Sequence, residues 1–259
     1  MRKAFPLALM AVALSGCGTT TAAAPTAPAT PTSSPSYKAA VLADAPVAYW
    51  RMGETSGATM ADQSINGNSG VYQGAFTLGQ PGALASDGNT AVAFDGASGA
   101  ASVPSSASLQ VNKVTIELWI KKRTESGSGV YVAKNFVGSG VAGSGWFQLL
   151  NSDYTGRLAF RVTGDIDPVL VSSTTLALDT WYYVVATYDG SDAKLFVNGK
   201  LDGTLAVVVS PAQNADPIYI GRRADGFFNN TLLDEVAIYP TALSADRIAA
   251  HWRSATATR

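Results

Sequence analysis

Short runs rich in valine, isoleucine, tyrosine and tryptophan recur along residues 37–259, and clusters of glycine, asparagine and aspartate separate them. Runs bounded in this way are typical of β-strands and predict an all-β domain. The run 114–121 alternates strictly, with apolar side chains at Val114, Ile116, Leu118 and Ile120. Because successive side chains of a strand point to opposite faces, we expect that face to lie in a core and the face carrying Glu117 to be wetter.

Two local signals add a turn and a helix. Asn198 and Gly199 are typical of a two-residue hairpin turn, because both central positions of that turn need a positive φ. Near the C-terminus, Ser244 can cap a helix that runs to about Arg253. This is the one helix that the sequence predicts, and the apolar side chains that would attach it to the sheets are Leu243, Ile248 and Trp252.

Composition limits the functions open to the chain. Of its 259 residues, 47% are hydrophobic and 14% are charged, which suits a folded, sheet-rich exported protein. If the residues before Cys17 are removed, 16 of the 18 basic residues remain against 19 acidic ones, so no basic field exists to attract nucleic acid. The single cysteine is Cys17, which excludes disulfides and thiolate metal ligands from the domain.

The N-terminus indicates export. Two basic residues at positions 2 and 3 precede an apolar stretch over residues 5–14. The stretch is about half the length that a membrane-spanning helix needs, and it is typical of a cleaved signal peptide. The string Leu-Ser-Gly-Cys that ends at Cys17 resembles the bacterial lipobox, which implies that Cys17 becomes a lipidated N-terminus. The alternative is an ordinary secreted protein with one unpaired thiol.

These features divide the chain into three parts. Residues 1–17 are the predicted lipoprotein signal peptide, and residues 18–36 are a spacer made almost wholly of Thr, Ala, Pro and Ser. A spacer of this composition cannot bury enough apolar surface to fold, so we expect it to be disordered and extended. The remaining residues, 37–259, have the size of one β domain. We expect a membrane-anchored lipoprotein at the outer membrane or cell surface, or in the periplasm.

Seven sequence blocks carry a family resemblance, namely residues 45–57, 92–96, 115–120, 181–190, 195–199, 220–221 and 233–239. Together they resemble the laminin G-like jelly roll of the concanavalin A-like lectin superfamily, over essentially all of residues 37–259. The resemblance implies a two-sheet antiparallel jelly-roll sandwich with a short C-terminal helix. It also implies a non-catalytic binding or adhesion module for a glycan or a protein. The alternatives are a polysaccharide lyase or glycoside hydrolase on the same sandwich, and a purely structural envelope component.

An oxygen-rich loop over residues 62–70 is the candidate metal site. Hard cations such as Ca²⁺ bind carboxylate, amide and carbonyl oxygens in such loops. The loop also resembles the Asp-rich loop of laminin G-like domains, where a structural calcium is frequently found. Strand parity places Asp234 on the face of core residues, where an unpaired carboxylate is costly. We therefore expect calcium held by Asp62, Asn66, Asn68 and either Asp234 or Glu235. The alternative is an Asx-turn loop tied to Asp234 by backbone hydrogen bonds.

The sequence gives little support to catalysis. The lone histidine, His251, lies on the predicted helix without a nucleophile motif nearby. Hydrolysis of a glycosidic bond needs two carboxylates at a controlled separation. Glu117 shares its strand face with Thr115, Trp119 and Lys121, so we interpret it as structural. We predict no enzyme activity, no catalytic residue and no cofactor besides calcium.

The loop 222–230 is the candidate ligand site, because it places two arginines and two aromatics between strands, where recognition loops lie. We expect a rim site for a glycan or protein, formed by Arg222, Arg223 and Phe227 together with Trp146, which follows the glycine-rich stretch 137–145. Phe228 is expected to pack beneath its own loop.

Overall fold

The computed structural model describes Met1 and residues 35–257, except 126, 135–145, 154, 163–167, 210, 212 and 213. The predicted signal peptide beyond Met1, Cys17, nearly all of the spacer and the stretch 137–145 therefore lie outside the described residues. The described residues from 35 to 257 belong to one compact unit. Neither α-helix in the described part of the chain has the length and apolar character needed to cross a membrane.

The described residues form sixteen strands, two α-helices and a short 3-10 helix at Ala107–Leu109. The first eight strands are β1 (Ala48–Trp50), β2 (Thr59–Met60), β3 (Gly70–Gln73), β4 (Phe76–Pro81), β5 (Thr90–Asp95), β6 (Ala100–Val103), β7 (Val114–Lys122) and β8 (Val130–Lys134). The other eight are β9 (Phe147–Ser152), β10 (Arg157–Arg161), β11 (Leu170–Val171), β12 (Trp181–Tyr188), β13 (Asp192–Val197), β14 (Lys200–Ala206), β15 (Ile218–Ile220) and β16 (Asn230–Tyr239). The helices are α1 (Tyr37–Ala43) and α2 (Ala245–Thr256).

The strands form two antiparallel sheets. Sheet A has the order β14-β13-β12-β7-β16-β5-β4, with β1 also paired to β16. Sheet B has the order β11-β10-β9-β8-β15-β6-β3-β2. The inner faces of the two sheets share one apolar core, to which β7 contributes Val114, Ile116, Leu118 and Ile120. The predicted two-sheet sandwich with a C-terminal helix is confirmed.

A second apolar layer lies on the outer face of sheet A. Both helices pack there, and they cover the face of β7 that the sequence predicted to be wetter. On that face Glu117 is 0% exposed and Trp119 is also buried, so this prediction is wrong. The covering helices come from residues 37–43 and 245–256, far from β7 in sequence, so the alternation within β7 could not reveal them.

Helix α1 was not predicted, because seven residues give no clear apolar period. Its N-cap is Ser36, whose hydroxyl accepts a hydrogen bond from the Ala39 N–H at 3.3 Å. The predicted hairpin is present, with Asn198 at φ 51° and Gly199 at φ 76° between β13 and β14. Helix α2 is also present, and Ser244 caps it as predicted.

Candidate functional site

Five connections cross between the sheets at one end of the sandwich, which we call the loop end. Strand β16 is antiparallel to both β5 and β7, so β16 begins where those two strands finish. Strand β4 begins at the same end, because it is antiparallel to β5, and β12 does so because it is antiparallel to β7. The connections are residues 74–75, 96–99, 123–129, 172–180 and 221–229. The predicted ligand loop is therefore at the loop end.

A tight turn within the 221–229 connection holds Phe227 at the surface. The backbone groups of Arg223 and Gly226 pair across the turn, and the Arg223 guanidinium binds the Asp225 carboxylate at 2.6 Å. The same guanidinium lies 3.9 Å from the centroid of the Phe227 ring, which is 45% exposed. Phe227 has φ 56°, a left-handed conformation that costs a bulky residue free energy. Arg223 is itself buried, so it supports the ring rather than contacting solvent.

Arg222 is held between two aromatic rings. Its guanidinium carbon lies 4.5 Å from the Tyr219 centroid and 5.5 Å from that of Phe228. Within the described part of the chain, no carboxylate forms an ion pair with Arg222, so its charge stays available to a ligand. Sequence reasoning missed Tyr219. Its alternation with Ile218 and Ile220, which lie in the inner core, is the signal that places it on the outer face of sheet B.

Trp146 does not contribute to a rim site. The side chain is 0% exposed and lies in the inter-sheet core, 5.7 Å from the Phe147 ring and 5.8 Å from the Tyr188 ring between centroids. Neither face of the indole reaches solvent, so the prediction that Trp146 stacks on a ligand is wrong. The ligand candidates that remain accessible are Arg222 and Phe227.

The Asp62 loop is closed by its own hydrogen bonds. The Asp62 carboxylate accepts four, from three backbone N–H groups and the Ser64 hydroxyl, at 2.7–2.8 Å. The side-chain amides of Asn66 and Asn68 both donate to the Val47 carbonyl, at 3.1 and 2.7 Å. These bonds correspond to an Asx-turn arrangement, in which the carboxylate already has its full set of partners.

Asp234 and Glu235 belong to a different network. Glu235 Oε1 accepts two hydrogen bonds from the Arg51 guanidinium, at 2.6 Å from Nη2 and 2.9 Å from Nε, and the Tyr49 hydroxyl donates to Oε2. Asp234 accepts a backbone N–H at 2.8 Å and the Asn89 amide at 3.1 Å. Burial raises the pKa of Asp234 well above its usual value, and the charge of Glu235 raises it further.

The predicted face of Asp234 is wrong because β16 contains a bulge. The register between β16 and β7 shifts between Asp234 and Ala237, and Glu235 adopts φ 53° within the shift. Asp234 therefore lies opposite Trp119 on the helix-covered face, whereas Val236 is in the inter-sheet core. The extra residue changes which side chains of β16 face the inter-sheet core, and the prediction for Asp234 assumed an uninterrupted alternation.

The five predicted calcium ligands do not come together. No side chain of the Asp62 loop hydrogen bonds to a side chain of the Arg51–Glu235 network. Among the residues that the structure describes, no three His, Cys, Asp or Glu side chains are grouped to hold a metal ion. The Asp62 carboxylate already accepts four hydrogen bonds, and the Arg51 guanidinium binds the Glu235 carboxylate. The predicted ligand set therefore does not fit one calcium ion.

Glu117 is the centre of a buried polar network beneath the helices. Its carboxylate lies 2.7–3.0 Å from four partner atoms, the hydroxyls of Tyr37, Tyr183 and Tyr239 and the Nδ1 of His251. Burial opposes ionisation, but the hydrogen bond and charge of His251 hold the pKa of Glu117 below its usual value. Burial likewise opposes the charge on His251, yet Glu117 and Asp44 raise the pKa of the imidazole. The network joins both helices to sheet A and is closed to a substrate.

Two antiparallel sheets with crossing loops at one end define a sandwich of the lectin type. The chain belongs to the concanavalin A-like lectin/glucanases superfamily, because a laminin G-type family model with that description matches residues 95–249. No curated protein sequence matches the chain.

Solved structures of similar fold come from bacterial toxins and from a sialidase. The binding domain of botulinum neurotoxin DC, in complex with SialylT, is 13% identical with a TM-score of 0.61, over 82% of this chain and 52% of that one. A botulinum neurotoxin type C structure, whose cell entry depends on two ganglioside molecules, is 14% identical with a TM-score of 0.62, over 83% and 52%. Trypanosoma rangeli sialidase is 14% identical with a TM-score of 0.60, over 79% and 32%. The chain thus spans about half of the toxin chains and a third of the sialidase, and the likeness shows the fold.

Proposed function

We propose that this chain is an exported, lipid-anchored binding module that recognises glycans at the loop end without catalysis. The observation that carries the proposal is the ring of Phe227, which is 45% exposed and held in a left-handed backbone conformation above the Arg223 guanidinium. Strained backbone of this kind is concentrated at functional sites, where the surrounding structure maintains it. An exposed aromatic face also offers the apolar area on which a sugar ring can stack.

Arg222 supplies the polar part of the proposed site. The rings of Tyr219 and Phe228 fix the position of its guanidinium, so little side-chain entropy is lost when a ligand binds. A guanidinium recognises a carboxylate through two parallel hydrogen bonds. We therefore propose glycans that carry an acidic sugar. The toxin structures described with SialylT and gangliosides support a glycan as the ligand class.

The positions of the buried carboxylates support a binding role over a catalytic one. A glycosidase uses two carboxylates that flank the scissile bond. Glu117, Asp234 and Glu235 are each 0% exposed and engaged by protein donors, so a glycan cannot reach them. The sialidase of similar fold is a reason to test for hydrolysis directly.

Cys17 and the spacer over residues 18–36 complete the proposal. A lipid on Cys17 would hold the protein at a membrane, and the uncharged spacer would keep the sandwich away from the lipid surface. Mass spectrometry of the protein from membranes tests this part. A mature chain that begins at an acylated Cys17 supports it, and an unmodified Cys17 contradicts it.

A glycan array tests the binding site. The purified protein should bind a subset of acidic glycans, and Phe227→Ala should remove the signal while the melting temperature stays within about 2 °C of wild type. Leu201→Ala is the matched control, because Leu201 is also an exposed apolar residue but lies on the edge strand β14. Retained binding by Phe227→Ala refutes the placement, and release of reducing sugar from bound glycans refutes the non-catalytic role.

A further inference from the structure

A second candidate site is a polar cleft on the outer face of sheet A, at the loop end. Its volume is about 530 Å³, which lies in the range of small-molecule sites. Its polar lining includes Thr77, Asp95, Arg123, Thr124 and Asn230. None of them belongs to the 221–229 connection or to the predicted calcium set.

Strand pairing explains why these residues meet. Asp95 at the end of β5 lies opposite Asn230 at the start of β16, and the Arg123 N–H donates to the Asn230 carbonyl at 3.1 Å. One row further along the sheet, Thr77 lies opposite Ala93, whose small side chain leaves space above the sheet. The two helices cover the outer face of sheet A around other residues, so this part of the face remains open.

Several side chains around the cleft have unused hydrogen-bonding capacity. The Arg123 guanidinium, the Asn230 amide and the Thr77 and Thr124 hydroxyls make no hydrogen bond or ion pair with another described residue. Arg123 is exposed and Asn230 is half-buried. The Arg123 guanidinium only donates hydrogen bonds, and the Asn230 amide has both donor and acceptor atoms. Each threonine hydroxyl can both donate and accept.

Asp95 adds an ionised acceptor. Its Oδ1 accepts three backbone N–H groups, from Ala97, Ser98 and Gly99, at 2.7–2.9 Å. These bonds, with that of Ser98 having the largest effect, lower the pKa of Asp95 to about 2. Its Oδ2 has a single long contact, 3.3 Å from the Ser98 hydroxyl, and can accept hydrogen bonds from a ligand.

We infer that this cleft binds one neutral sugar unit. Each sugar hydroxyl both donates and accepts, and the cleft pairs a carboxylate acceptor with guanidinium and amide donors. The charges of Asp95 and Arg123 offset each other, so the cleft has no excess positive charge. The Asp95 carboxylate would repel a phosphate or carboxylate group bound there. The cleft extends the proposed glycan binding to a separate set of residues.

Saturation-transfer NMR on the purified protein tests the inference. The probes are the methyl glycosides of glucose, galactose, mannose and N-acetylglucosamine, with glucuronate and inorganic phosphate as charged comparators. At least one neutral glycoside should give a saturable signal, and the charged probes should not displace it. Arg123→Ala and Thr124→Val should each weaken binding by about tenfold, because each removes a partner of the bound sugar. Thr124→Val keeps the shape of the side chain, so its effect reports the hydroxyl.

Two controls separate this inference from the proposed function. Arg157→Ala removes another exposed arginine, on sheet B, and should leave the neutral-sugar signal unchanged. Phe227→Ala should also leave it unchanged while removing acidic-glycan binding. The inference is overturned if no neutral glycoside saturates, if glucuronate or phosphate competes, or if Arg123→Ala and Thr124→Val bind as wild type. If Phe227→Ala retains acidic-glycan binding while the cleft variants behave as expected, the inference about the cleft is supported and the proposed function is refuted.

Discussion

The Glu117 network should contribute more to stability than any other polar cluster described above, and Glu117→Leu tests this. The substitution keeps most of the side-chain volume but removes the acceptor for three tyrosine hydroxyls and His251. At about 1 kcal/mol for each buried donor left without a partner, the cost is about 4 kcal/mol. Removing one partner of a buried ion pair costs about 3–5 kcal/mol, which agrees with this figure.

Urea unfolding at pH 6 measures the cost, and Glu117→Gln is the matched variant. Glutamine keeps the shape and one acceptor oxygen, so we expect a loss about half that of leucine. A loss below about 1 kcal/mol for Glu117→Leu would mean that the network does not stabilise the fold, because a buried carboxylate with four partners would then be dispensable.

The same network makes the free energy of unfolding depend on pH. The pKa of His251 is raised in the folded state, so its contribution is complete below the unfolded value of about 6.5 and is lost as pH rises through the folded pKa. The pKa of Glu117 is lowered, so its contribution is present above about pH 4.3 and is lost as pH falls through the folded pKa. The stability difference between wild type and His251→Gln should therefore be larger at pH 6 than at pH 9. Equal differences at the two pH values would contradict this.

Three further predictions concern other parts of the sandwich. Trp146→Ala should lower the free energy of unfolding by about 3–5 kcal/mol, because it leaves a cavity in the core. A loss under about 1 kcal/mol would indicate that Trp146 lies at the surface. Gly199→Ala should cost more than about 1 kcal/mol in thermal unfolding, because φ is 76° and a Cβ would lie 2.8 Å from Trp252, and an unchanged melt would contradict that contact. EDTA should leave the melting temperature unchanged, because the Asp62 carboxylate already accepts four hydrogen bonds; a fall in the melting temperature with EDTA would contradict this.

Much of the fold could be predicted because its signals are local. The alternation in β7 identified the inner face, the Asn198-Gly199 pair identified the hairpin, and Ser244 identified the start of α2. Each depends on residues within one element. The burial of Glu117 depends instead on helices from both ends of the domain, and no pattern within β7 contains that information.

The candidate sites were harder to predict for the same reason. The bulge at Glu235 reversed the face of Asp234, and a single sequence does not indicate where a strand takes an extra residue. The cleft residues Asp95, Arg123 and Asn230 come from three different strand ends, and only the order of strands in sheet A brings them together. Arg222 and Phe227 could be identified from the sequence because both lie in one loop.

We propose that the loop end of this sandwich binds glycans. The most direct test is to titrate the protein with the glycan that gives the strongest array signal and to follow its backbone amide chemical shifts. We expect saturable changes that are largest over residues 222–228 and at the cleft residues around Arg123. Changes confined to the Asp62 loop or to the helix-covered face, or no saturable change with any glycan, would contradict it.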